Sequence, residues 1–476
     1  MPVELIKNPL KLCRIIGEEV SSTVVEEDIN VPDVSPDVYK ILYPSARVII
    51  KSSETAADKV MIDGQVLINI LYAADSEGRP LNCINISADF NQPIEMPGVK
   101  PRMKEWIDAV VQHVECKIIN SRKVRIRVIM DINCMVEDIF DMELPTDARG
   151  SSDIQILKES FNAKELTGLT KDKYTIKEEI EMGSDKPAVD EVLKTDFKAS
   201  AKNCETMEGK LQINGILCFT MLYKSMDAGS VESYEGEIPF SEYIEIPEAE
   251  SNMESTADLQ LKDCYLDVSE NEEGENKKIS INANMDLTGK TYKDAEPEII
   301  SDLYSPASEL NIEKLGYEFN EFMGRGTTST VLKESINIKP KSPEIEKVCC
   351  MDAKVIINEV KVMDDKVAVE GIVDVDCIYT SSFSGEPMNV LQEQYPFKAV
   401  LDMDNVKTEM YAKAACKVEN ISFSVLSSTV IDFRIIINTV VDVYKKKTKK
   451  IIGKVEEKEG IVLDYSTLPA VTVYVV

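Results

Sequence analysis

Residues 60–72, VMIDGQVLINILY, decide the fold. Apolar side chains fall on alternate positions, many are β-branched, and a glycine sits in the middle. This is the pattern of a strand with one buried face. The stretch returns as LQINGILCFTMLY (211–223) and VAVEGIVDVDCIY (367–379). Each copy places a glycine at its fifth position (Gly64, Gly215, Gly371) and ends on a tyrosine (Tyr72, Tyr223, Tyr379). A mid-strand glycine marks a bulge or a close backbone approach. The tyrosines are expected to bury the ring and keep the hydroxyl at an edge.

Working outward, an offset of 307 residues aligns Gly17 with Gly324, Pro36 with Pro343, Phe90 with Phe397 and Arg127 with Arg434, without a gap. An offset of 151 brings in Gly168 and Pro187. One residue is then lost, and Phe240 falls under Phe90. The acidic segment 270–276, ENEEGEN, lengthens a later hairpin of the middle copy. The chain therefore carries three homologous domains, at 11–140, 162–290 and 318–446, with linkers at 141–161 and 291–317. We expect the first and third to share one strand order and the middle one to diverge before Gly215. VRIRVIMDINCMV (124–136) and IDFRIIINTVVDV (431–443) alternate as well, so each domain reads as an antiparallel β-sandwich. The fold class is all-β, with one short helix per domain. That helix is expected at 35–42 and again at 342–349. Ser35 or Ser342 would be its N-cap, proline its first residue, and Val38, Ile41 and Leu42 its docking face. The middle copy keeps Pro187 but lacks the serine cap. Gly17, Gly168 and Gly324 read as a domain-entry turn.

Of the 476 residues, 54 are Lys or Arg and 84 are Asp or Glu, so the formal charge is 54 − 84 = −30. Such a field repels phosphate, and neither nucleic-acid binding nor adhesion to an anionic membrane is expected. A single histidine, His113, rules out a multi-histidine metal site and leaves one candidate base for a triad. None of the eleven cysteines forms a CxxC pair; Cys13, Cys218, Cys264 and Cys377 read as small core residues, as does the pair Cys349-Cys350, and a reducing cytosol is expected. The opening residues show no uninterrupted apolar signal region. Gly289-Lys290-Thr291 lacks the upstream glycine of a phosphate loop, since position 284 is Asn. Gly324-Arg325-Gly326 lacks the third glycine of a dinucleotide fingerprint. Asp402-Met403-Asp404-Asn405 lacks the glycine of a calcium loop. No catalytic, metal or cofactor residues are assigned, and the expectation is a chain that is not an enzyme. Residues 447–476 begin with the basic run KKKTKK (445–450 in full) and end on VTVYVV, which we read as a linker and terminal strand.

The motifs IxVPDVxPDVxKIL (29–42), DKVxIDGxVxINILY (58–72) and IINSRKVxIRVIM (118–130) resemble the SPOCS-type domain of the SipL family of spore morphogenesis proteins. The resemblance implies a non-enzymatic scaffold of spore coat assembly. Its place would be the mother-cell cytoplasm at the forespore surface, and its partners the coat-basement ATPase SpoIVA and other coat proteins. In that family the repeats are usually followed by a small LysM module that carries much of the partner contact. This sequence stops at Val476, so it is expected to lack the module and to bind SpoIVA weakly. The alternative is a protein that binds or modifies envelope glycan, which would need exposed aromatic platforms. One Trp and 6% aromatics argue against it.

Overall fold

The computed structural model describes residues 3–76, 81–150, 154–227, 230–306, 309–340, 342–381 and 388–457. The expected terminal strand near 461–476 lies outside them. Every regular element among the described residues is a β-strand. Repeat 1 runs β1 (Glu4–Asn30), β2 (Val38–Ala56), β3 (Lys59–Ala74), β4 (Leu81–Glu95), β5 (Lys104–Asn120) and β6 (Lys123–Arg149). Repeat 2 runs β7 (Gln155–Ser160), β8 (Ala163–Glu181), β9 (Val189–Met207), β10 (Lys210–Ser225), β11 (Val231–Glu245), β12 (Glu254–Glu270), β13 (Asn276–Ala295) and β14 (Glu298–Tyr304). Repeat 3 runs β15 (Leu310–Asn337), β16 (Lys347–Met363), β17 (Lys366–Thr380), β18 (Met388–Asp402), β19 (Tyr411–Ser427) and β20 (Val430–Glu457).

Each repeat is a sandwich of two three-stranded antiparallel sheets. Repeat 1 stacks β1-β6-β5 on β2-β3-β4. Repeat 3 stacks β15-β20-β19 on β16-β17-β18 in the same order. The middle repeat follows it too, with β8-β13-β12 on β9-β10-β11. Alternate residues of the central strands fill each core. In repeat 1 they are Val60, Ile62, Val66, Ile68, Ile70 and Tyr72 from β3 against Val124 to Val136 from β6.

The expected helix at 35–42 is absent, and its residues show why. Ser35 closes a turn onto Pro32 (N to O 2.9 Å), and the Val38 amide is taken by the Ser121 carbonyl at 2.8 Å. Val38 then opens β2, opposite Ala74. Two bulges follow within five residues, between Val38 and Lys40 and between Ile41 and Tyr43. Each adds a residue and shifts the alternation by one. Val38 and Ile41 therefore share the sandwich face, while Leu42 points to the opposite side. The bulged strand mimics helical spacing. Repeat 3 does the same, with a bulge between Val348 and Cys350.

Gly17, Gly168 and Gly324 are not entry turns. They lie inside β1, β8 and β15, each at a bulge: between Ile15 and Gly17, opposite Thr291/Tyr292, and between Phe322 and Gly324. The strands continue beyond them as two-stranded ribbons, Glu4 pairing with Arg149, Gln155 with Tyr304 and Leu310 with Glu457. Residues 141–149, 155–160, 298–304 and 310–317 thus belong to paired strands.

The three repeats close on one another in a cycle. β4 touches β9, β11 touches β16, and β18 returns to β2. Positions related by the sequence offsets meet at the centre. One apolar cluster joins Leu71, Leu222 and Ile378, with Leu81, Val231 and Met388 and with Leu42, Leu193 and Cys349. A second joins Leu10, Phe161 and Tyr317 with Leu144, Ile299 and Ile451 of the ribbons. A third joins Val3, Ile154 and Leu310. Each cluster draws equivalent residues from all three repeats, so the arrangement is a pseudo-threefold ring.

Candidate interaction surfaces around the pseudo-threefold axis

The recurring residues form one device in each sandwich. Tyr72, Tyr223 and Tyr379 are fully buried. Their hydroxyls donate to the carbonyls of Pro36, Pro187 and Pro343 at 3.0, 3.2 and 3.0 Å. Burial pushes the Tyr72 and Tyr223 phenols up to about 12. Gly64, Gly215 and Gly371 pair across the sheet with Phe90, Phe240 and Phe397. The ring lies over the glycine. A Cβ on Gly64 would collide with Phe90 and come within 2.8 Å of the Ile49 carbonyl oxygen. One on Gly371 would lie 2.6 Å from Phe397 Cε1 and collide with the Ile356 carbonyl. On the other neighbouring strand each glycine faces a bulge, such as Ile50/Ser52 opposite Gly64. The glycines thus serve close approach, and none of the three has a positive φ.

Sequence reading places no residue at the seams between repeats, where the structure brings a further set of side chains together. Tyr43, Lys194 and Cys350 are equivalent by the same offsets, and each is chemically different. Tyr43 Oη donates to Asp376 Oδ2 of repeat 3 at 2.7 Å. Lys194 is paired with Asp196, with its ammonium 6.0 Å from the Tyr43 ring centre. Burial pulls the Lys194 pKa down and pushes the Cys350 thiol up to about 12. At the seam of repeats 1 and 2, Asn69 Nδ2 donates to the Leu193 carbonyl at 2.8 Å. There Glu137 accepts from Lys290 Nζ at 2.6 Å and from Trp106 Nε1 at 2.7 Å. The Lys290 ammonium sits 4.1 Å from the Trp106 ring centre. Repeats 2 and 3 are joined by Lys198–Asp352 at 2.6 Å and by Lys347–Glu232. Repeats 3 and 1 are joined by Lys413–Glu18, and by Lys354 Nζ donating to the Val111 carbonyl at 2.6 Å. The signal for these positions lies in the offsets, which set unlike residues at equivalent places.

The weighed motifs resolve into strand and turn. Lys290 of Gly289-Lys290-Thr291 lies within β13 and faces Glu137, not a loop. Arg325 holds Asp442 with two bonds, 2.6 and 2.8 Å. Asn405 occupies a turn at φ 66° with its amide on Asp365 Oδ1. His113 is exposed at the β5 bulge. Cys13, Cys349 and Cys377 are buried with thiols pushed up to about 12, chiefly by burial. Among the described residues no group of three or more His, Cys, Asp or Glu could hold a metal ion. No helix among them is long and apolar enough to cross a membrane.

Three antiparallel sandwiches with one repeated latch, closed into a ring, define a triplicated all-β repeat protein. The chain belongs to the SipL SPOCS-domain family: the family's description, SipL, SPOCS domain, matches residues 37–119, 188–269 and 344–426. One match falls in each sandwich, and together they cover more than half of the chain. It is a sporulation-related protein in that sense. Comparison with curated proteins and with solved structures found no match.

Proposed function

We propose that this chain is a non-enzymatic scaffold of spore coat assembly. It acts at the forespore surface in the mother-cell cytoplasm and binds a SpoIVA-like coat-basement ATPase. The observation that carries the reading is the family match in all three repeats. The chemistry of the ring supports it. Several of its ion pairs tie one repeat to the next, and its buried thiols are held protonated. The alternative, glycan binding, loses its best platform, because the N–H of Trp106 is held by Glu137 and a ring face by Lys290.

The test is a pull-down with the purified chain as bait, against a SpoIVA-like protein and against peptidoglycan, together with a fluorescent fusion followed through sporulation. Recovery of the coat-basement protein and a fluorescent shell around the forespore are expected. Recovery of peptidoglycan alone would replace this reading with the glycan one.

A further inference from the structure

The seams hold more than a connected chain needs. Arg149 and Gln155 are joined by a short connection, as are Tyr304 and Leu310, so the chain itself already keeps the repeats together. Yet the side of each sheet that faces away from its own core is apolar where repeats meet. Leu71, Leu222 and Ile378 lie in β3, β10 and β17 next to the core residues Tyr72, Tyr223 and Tyr379, and they point the other way. All three are buried, and they pack in one cluster built from all three repeats. The same holds for Leu10, Leu144, Ile299 and Ile451 in the ribbons.

We infer that this face of each repeat is a docking surface whose partner is another SPOCS-type repeat. The ring is held by surface complementarity and not by its connections. Three observations carry this. The contacts are cyclic, so every repeat uses the same two edges. The apolar clusters are built from equivalent positions. Each seam also carries its own polar pair: Glu137 with Lys290, Lys198 with Asp352, and Glu18 with Lys413. The apolar part supplies attraction and the unlike pairs select the neighbour.

The full-length protein tests it. Protease sites are placed in the connections 150–154 and 305–309, and the purified folded chain is cut at both. The cut protein is expected to elute as one species at the volume of the uncut chain and to come apart only in denaturant. Separate elution of the fragments in native buffer would overturn the inference. Leu222→Arg, which places a charge in the shared cluster and not in a sandwich core, assigns the surface. Uncut, this variant should keep its far-ultraviolet circular dichroism and elute as the wild type does. Cut, it should lose the repeat 2 fragment. A cut Leu222→Arg protein that holds together as well as the wild type would overturn the assignment to this face.

Discussion

The hydroxyl of Tyr72 donates to the carbonyl of Pro36 at 3.0 Å. Pro36 opens the stretch 35–42, whose spacing suggests a helix, Tyr72 lies on the central strand β3, and the bond between them helps explain why no helix forms. Pro36 supplies the oxygen that a first helical turn would use, and the tyrosine of the central strand takes it. The ring is buried in the core beneath, so turn and strand are fixed to each other. Repetition in all three sandwiches gives the bond a role in the fold of every repeat.

Removing that hydroxyl should cost stability without changing the fold. Tyr379→Phe keeps the ring and leaves the Pro343 carbonyl without its donor, a loss of about 1–3 kcal/mol. Urea unfolding of the variant reads it. A midpoint equal to that of the wild type would mean that water replaces the donor.

The glycine under phenylalanine should refuse a side chain. Gly371→Val places atoms against the Ile356 carbonyl and the Phe397 ring, and overpacking of this kind costs about 1–3 kcal/mol. The cause is contact and not backbone strain. Gly371→Ala should carry a smaller loss of the same origin, and Phe397→Leu in that background should recover the part due to the ring while leaving the part due to the Ile356 carbonyl. A melting temperature unchanged in Gly371→Val excludes the close approach.

The ion pair at the first seam should behave as a buried one. Lys290 and Glu137 are 12% and 5% exposed at the side chain. Lys290→Met leaves Glu137 buried with the Trp106 N–H as its only strong donor, at a cost of about 3–5 kcal/mol. The double variant Glu137→Leu/Lys290→Met should cost less than Lys290→Met alone. Equal or additive losses in the cycle would show that the pair is solvated.

Stability should fall on the alkaline side. The Tyr72 phenol is raised from 10.0 to about 12, and Cys13 and Cys377 from 9.0 to about 12. Below pH 9 folded and unfolded states both hold these protons. Above it the unfolded chain releases first the thiol and then the phenol protons, while the folded chain keeps them. Stability therefore drops as pH rises, by about 1.4 kcal/mol per pH unit for each fully engaged group. Tyr72→Phe removes one such group. Its stability between pH 10 and 11 should decline less steeply than the wild type's, and an identical slope would discount the buried phenol.

Much of the architecture is legible in the residues, because alternation and spacing report what is buried. The offsets of 151 and 307 reveal three copies, and the period-2 runs reveal their strands. Val38, Ile41 and Leu42 read as a helix because two bulges between Val38 and Tyr43 set them at spacings that an α-helix also gives. Gly17 reads as a turn because a bulge and a turn both favour glycine. The ring could not be read from periodicity at all. Leu71 and Leu222 interrupt the alternation just before a buried tyrosine, but an apolar pair in one strand does not say which neighbour covers its second face. The seam side chains are hidden for a related reason: Tyr43, Lys194 and Cys350 are unlike, and a repeat shows itself through like residues.

That unlikeness bears on how such a ring can change over time. An assembly of three identical chains must set the same side chain at its axis three times. A lysine there would face two more lysines, and every substitution would be made in triplicate. A gene carrying the three copies in tandem is free of that constraint. Lys194 sits near a tyrosine and a cysteine and needs only one carboxylate, Asp196. A chain with three tandem copies therefore leaves each position at the axis free to carry a different side chain.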